Sequence, residues 1–348
     1  MRPTLSVIFF TVLSGTGYGL LFLLGLGLFT RWPYLAAPPT HKGDATLTLL
    51  IYPHAIAYGL LVGVVLISAG LFASLAHLGQ PQRAWRALSQ WRSSWLSREG
   101  IAAIVSYIPA LGLIIVFWLP VFWHPPESAP LFWDVQIRAP CSLGAALAVT
   151  AFVTVYCTSG IYTSLKTIQA WHNRYVLPGY LLFALLGGSC CLWMLQTLIG
   201  SGMDPLLRRG LPLLIIVLAS TCTVLKHLYW RFTDATRHPA STESATGLGR
   251  FGTVRGVEAP HTEENYLTRE MGFVLARKHS ARLRTIALIL FGVAPIAVAG
   301  IALVWPNAGY VSACLVFTSV VAGTFVERWL FFAEARHVVM LYYGAARA

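Results

Sequence analysis

Runs of about 18 or more apolar residues with almost no charge recur along this chain, and that recurrence decides its fold class. Such a run is long enough to cross the hydrocarbon core of a bilayer. No water there can satisfy the backbone, so each run must be a helix. The runs fall at Leu5–Phe29, Leu47–Ala76, Gly100–Trp123, Ala139–Leu165, Leu177–Gly200, Leu211–Trp230, Thr285–Trp305 and Ala308–Val326. The expected fold is therefore all-α: a polytopic membrane protein of eight transmembrane helices. Composition agrees. Only 11% of residues are charged, against about 25% in a soluble domain. The first run is too long for the apolar core of a signal peptide and reads as a retained span. Its glycines, Gly15, Gly17, Gly19, Gly25 and Gly27, suggest close packing against a neighbour. Pro109 and Pro120 are expected to bend the third span.

The formal net charge is +12, an excess that in a membrane protein speaks of topology and not of nucleic acid. With eight spans, the basic residues on the side away from the N-terminus are Arg31, Lys42, Arg138, Arg208 and Arg209; the other twenty lie on the N-terminal side. Both termini and the connection at 77–99 are thus expected to be cytoplasmic. The six cysteines all fall in apolar spans without a CxxC pair, as small buried side chains do. Gly247–Gly252 spells GxGxxG, but no strand precedes it and no βαβ unit is available, so it is not a dinucleotide site. The polar segment 231–284 mixes both charge signs with Gly, Ser, Thr and Pro. It reads as irregular in its first half and more helical over Glu264–Arg284, and is either a loose connection or a docking surface.

The residues that can carry chemistry gather at 77–99, HLGQPQRAWRALSQWRSSWLSRE. His77 ends one apolar run, where a cation suits the helix dipole; Glu99 opens the next, with Ser97 as the N-cap. Those structural roles account for both residues. The chemical reading is that a histidine exchanges a proton near neutral pH and a carboxylate at the membrane edge passes it to water. Such a pair suits a quinone, whose oxidation and reduction move two electrons and two protons. Arg83 is placed to orient the ring, to pair with Glu99 or to meet a lipid headgroup. Trp85, Trp91 and Trp95 either line the site or form an interfacial belt. Tyr162 and Lys166, one turn apart, either complete a polar pocket or are an interfacial tyrosine and a snorkelling lysine. Lys226 is read as snorkelling, and Glu327, Arg328, Glu334, Arg336 and His337 as a charged helix on the membrane surface. The ten histidines do not face one another as haem ligands would, so no haem is expected. A secondary transporter is the competing class. It would show inverted repeats and broken helices with polar groups at mid-depth, whereas here the ionisable groups gather near one surface.

His77-Leu78-Gly79-x-Pro81-x-Arg83-Ala84 followed by Ser94-Trp95-Leu96-Ser97-Arg98-Glu99 resembles the membrane-anchor subunits of the dimethyl sulfoxide reductase family, in the wider group of polysulfide-reductase-type anchors. The segments 247–255, 260–267, 270–279 and 327–344 are similar to a branch that includes anchors of cytoplasm-facing sulfite-oxidising enzymes. The resemblance implies two four-helix bundles, 1–170 with the quinone-site loop and 171–348 with the loop 231–284. It implies a molybdopterin catalytic subunit and a four-cluster iron–sulfur subunit as partners, with those cofactors in the partners and no haem in the anchor. It also implies that His77 and Glu99 bind the quinone or quinol, menaquinone or ubiquinone.

Overall fold

The computed structural model describes residues 4–35, 44–76, 78–123, 130–199, 205–235, 241–255, 257–258 and 279–343. Eight helices in it are long and apolar enough to cross a membrane, and there is no strand among the described residues. They are α1 (Leu5–Leu35), α2 (Asp44–Leu75), α3 (Trp95–Phe122), α4 (Pro130–Thr163), α5 (Val176–Ile199), α6 (Pro205–Ala235), α7 (Ser280–Val304) and α8 (Gly309–Ala333). The eight expected spans are all present. α2 to α7 begin earlier than their apolar runs, and α1, α6 and α8 end later, because the polar turns at the ends of a membrane helix carry no apolar signal. Pro109 and Pro120 both lie inside one continuous α3.

The helices pack as two rings of four. In the first, α1 meets α2, α2 meets α3, α3 meets α4 and α4 returns to α1; in the second, α5, α6, α7 and α8 close the same way. α1 joins the rings by packing on α5 and α8 as well as on its own ring. Lipid gives no hydrophobic drive between helices, so close backbone approach must supply the contact. Gly19 and Gly188 provide it: a Cβ on Gly19 would overlap the Ala184 carbonyl, and one on Gly188 would overlap the Gly19 backbone. Gly25 and Gly144 do the same between α1 and α4, where a Cβ on Gly25 would lie 2.6 Å from the Gly144 oxygen. Gly17 packs against Ile67 of α2, whereas Gly15 and Gly27 meet nothing within 4 Å.

One turn of α7, Ile289–Val293, is a π-helix. Pro295 follows it and has no N–H to bond the carbonyl four residues back, and the wider turn absorbs that loss. Gly292 and Gly323 then let α7 close on Thr223 of α6 and on α8.

Gly19→Val is expected to cost about 1–3 kcal/mol or more by overpacking the seam between the rings. Gly27→Ala should stay within about 0.5 kcal/mol of wild type. Thermal unfolding in detergent, read by the loss of monodisperse protein, checks both.

Candidate functional site

The connection after α2 folds back onto the start of α3. Pro81–Gln90 forms a 3-10 helix with an exposed polar face. It is tied down by Ser97, whose hydroxyl donates to the Ala87 carbonyl, and by Leu88, which packs on Gly100. The N-cap of α3 is Ser94, whose Oγ accepts from the Ser97 N–H at 3.5 Å, and not Ser97 as the sequence suggested. α3 therefore begins earlier, and Glu99 sits in its second turn, turned inward. Arg98 closes the end of the connection: Nε donates to the Trp91 carbonyl at 3.0 Å, Nη2 to the Arg92 carbonyl at 2.6 Å, and its guanidinium lies 4.5 Å from the Trp95 ring centre.

Glu99 is only 5% exposed. Its partner is Thr158 of α4, whose hydroxyl donates to Oε1. Thr158 is within reach because Trp95 seats α3 on α4, over Gly160 and edge-on to Tyr156 at 5.8 Å. Arg83 stays on the exposed face of the 3-10 helix, so the suggested pairing with Glu99 is replaced by the bond from Thr158. Trp85 and Trp91 are exposed beside Arg86 and Arg92, in the manner of an interfacial belt, and only Trp95 borders Glu99's surroundings. His77 lies outside the described residues.

Tyr162 and Lys166 are not brought together. Lys166 is exposed, whereas Tyr162 is buried among Trp171, Tyr180, Phe331 and Phe332, with ring centres 5.3–5.6 Å away. Trp171 Nε1 donates to the Phe331 carbonyl at 3.0 Å and Tyr229 Oη to the Ala170 carbonyl at 3.1 Å. The α4–α5 connection thereby caps the second ring.

A second polar centre lies inside that ring. Lys226 Nζ is 2.6 Å from Glu327 Oε1, and Arg328 Nε is 3.5 Å from Glu327 Oε2. Each of the three side chains is buried. Lys226 does not snorkel, and Glu327 and Arg328 are not on a surface helix. α8 runs on to Ala333, which places both in the bundle, where an unpaired charge would be costly. Nearer the membrane surface, Arg284 holds Asp234 with Nη1 and Nη2 at 2.6 and 3.0 Å and Glu334 with Nε at 2.8 Å, tying together the ends of α6, α7 and α8. Burial holds the Glu334 carboxyl above its ordinary range, against the pull of Arg284.

Thr158 and the Lys226–Glu327 pair carry no spacing signal, because their partners are 59 and 101 positions away. For the pair a composition signal exists: a charge inside an apolar helix is a site by default. An apolar run that stops at Val326 hides it, because Glu327 then falls just outside the span.

A model of the DMSO reductase anchor subunit (DmsC) matches residues 1–344. The protein belongs to that family. The anchor is 30% identical over 348 residues, 99% of both sequences, to the C subunit of sulfite dehydrogenase from Allochromatium vinosum. It is 29% identical over 183 residues to the anaerobic dimethyl sulfoxide reductase chain YnfH of Escherichia coli, covering 52% of this chain and 54% of the relative. The match to the C chain of anaerobic dimethyl sulfoxide reductase from the same organism is 26% over 165 residues, 47% of this chain and 52% of the relative.

Lys226→Met should destabilise the anchor by about 3–5 kcal/mol, because it leaves Glu327 as a buried charge without its lysine. Lys226→Met with Glu327→Gln should recover most of that loss. Unfolding of the two variants in detergent separates a paired charge from a dispensable one.

Proposed function

We propose that this protein is the membrane-anchor subunit of a molybdoenzyme complex, and that it binds quinone or quinol beside Glu99 and His77 while exchanging electrons with an iron–sulfur subunit docked on the same membrane face. The observation that carries the reading is the buried Glu99 carboxylate, held by Thr158 beneath the segment that bears the family pattern. A carboxylate is expensive in the apolar depth of a membrane and is kept there for chemistry more often than for stability.

The substrate chemistry fits these residues. A quinol gives up two electrons and two protons on becoming a quinone. Glu99 and His77 are groups that take up such protons on oxidation and return them on reduction, and Trp95 with Tyr156 offers an aromatic wall for the ring. The protein needs no redox group of its own if the quinone and the nearest cluster of the iron–sulfur subunit approach from opposite sides of the 77–99 connection. Arg83, Arg86 and Arg92 on its outer surface offer positive charge to that subunit or to lipid phosphates. The third member of the complex is a molybdopterin subunit.

The match to the C subunit of sulfite dehydrogenase spans both sequences, while the two dimethyl sulfoxide reductase relatives match about half of this one. That extent favours a complex that oxidises sulfite in the cytoplasm and reduces quinone, with both termini of the anchor cytoplasmic in a bacterial inner membrane.

The complex, purified in native lipid and titrated with a fluorescent quinol-site inhibitor, should bind it saturably. His77→Ala and Glu99→Gln should each weaken binding about tenfold or more, about 1.4 kcal/mol, and exposed Lys166→Ala should leave it unchanged. Undiminished binding in folded His77 and Glu99 variants would place the quinone elsewhere.

A further inference from the structure

Two small cavities meet at Arg328 and Tyr180. The first, about 20 Å³, lies on the seam between the rings and is walled by Thr11, Ser14, Thr16, Tyr18, Thr158 and Thr324, of which Thr11, Ser14, Thr158 and Thr324 also donate to carbonyls of their own helices. The second, about 10 Å³, lies inside the second ring, touches Lys226 and Glu327 and reaches outward to Tyr175. Arg328, Tyr180 and Phe183 belong to both walls. The ends of this path are also polar. Thr158, in the first cavity, donates to Glu99. Tyr175, at the start of α5, accepts from the exposed Arg174 at 3.0 Å.

Arg328 Nε and Glu327 Oε2, an ion pair 3.5 Å apart, make no hydrogen bond of normal geometry among the described residues, and neither do Tyr18 Oη, beside Ser106 and Thr154, and Tyr180 Oη, beside Tyr162. Buried polar groups left over by the protein are ordinarily met by water. A space of about 10–15 Å³ for the centre of the molecule is enough when several polar partners surround it. Hydrophobic packing does not account for seven hydroxyl-bearing residues, Tyr180 among them, turned toward one seam in a membrane bundle.

We infer that water in these two cavities forms a proton-transfer route from the membrane surface at Tyr175, through Glu327 and past Arg328, to Glu99. Lys226 holds Glu327 Oε1 at 2.6 Å and Arg328 Nε stands 3.5 Å from Oε2, so Oε2 is the less tightly held oxygen and the one that exchanges protons with water. Arg328 stays protonated throughout and orients the water between the cavities by its fixed charge. At the inner end Thr158 takes a proton from the first cavity as it gives its own to Glu99, so the hydroxyl is regenerated. Tyr162, Tyr18, Cys157 and Arg98 are the other ionisable groups around Glu99; Lys226, Arg328, Tyr180, Tyr229, Cys222 and Glu334 surround Glu327. The route goes beyond the quinone reading, because it concerns how a proton reaches Glu99 whether or not a quinone binds there.

The full protein in liposomes, stepped in pH by rapid mixing, tests it without quinone. The readout is the infrared band of the protonated carboxyl that is absent in Glu99→Gln. Gly15 lines the first cavity, and a Cβ there meets nothing within 4 Å. Gly15→Val therefore puts apolar carbon where the water sits, and should slow the Glu99 band about tenfold or more while the protein stays folded. Lys226→Met with Glu327→Gln removes the exchanging carboxylate together with its lysine, leaves Arg328 beside a neutral amide with the net charge of the cluster unchanged, and should slow it comparably; it decides the matter if Gly15→Val unfolds. A wild-type rate in either folded variant overturns the route, leaving Glu99 to exchange directly across the 77–99 connection, and so does a Glu99 band that ignores the pH step. Slowed protonation in a protein that binds no quinone would keep the route and remove the functional reading; fast protonation with quinone binding intact would do the reverse.

Discussion

Everything in this structure depends on how closely α1 approaches α5. Gly19, Ala184 and Gly188 bring the two backbones into contact, and no side chain fits between them. That contact joins the two rings of four helices. It also turns the Thr11, Ser14, Thr16 and Tyr18 side of α1 toward Tyr180 and Arg328. A membrane bundle gains little from burying apolar surface against lipid-like neighbours. Small residues and satisfied polar groups therefore determine where its helices meet. Here both devices fall on the same seam.

The polar groups divide between the rings in a way that suits two tasks. In the first ring Glu99 is bonded by a neutral hydroxyl, that of Thr158. In the second ring Glu327 is flanked by Lys226 and Arg328, one positive charge more than it needs. Toward the membrane face the Arg284 clamp on Asp234 and Glu334 fixes the helix ends.

How much of this was legible in the sequence depends on range. Eight apolar runs gave eight helices, because length and the absence of charge leave no other backbone solution in lipid. Glu99 stood out because a carboxylate at the edge of such a run is conspicuous. Its burial was not readable: Ser94 and Ser97 are both competent caps, and only the fold of the 3-10 segment, which takes the Ser97 hydroxyl for Ala87, decides between them. The Lys226–Glu327 pair was invisible for a different reason. Each residue lies near the end of its own span, where a charge is usually explained by reach to the surface, and only the three-dimensional register of α6 and α8 turns them toward each other. Pro295 announced an interruption in α7, but not that a π turn would absorb it.

On this account the chemistry of the anchor sits under the 77–99 connection, with the buried charges of the second ring serving it from behind. Photolabelling the complex in native membranes with an azidoquinone, followed by peptide mapping, addresses that claim most directly. The account predicts label on the 77–99 segment and on the α4 peptide around Tyr156 and Thr158, competed away by unlabelled quinone. Competable label confined to α6 and α8, around Lys226 and Arg328, would contradict it.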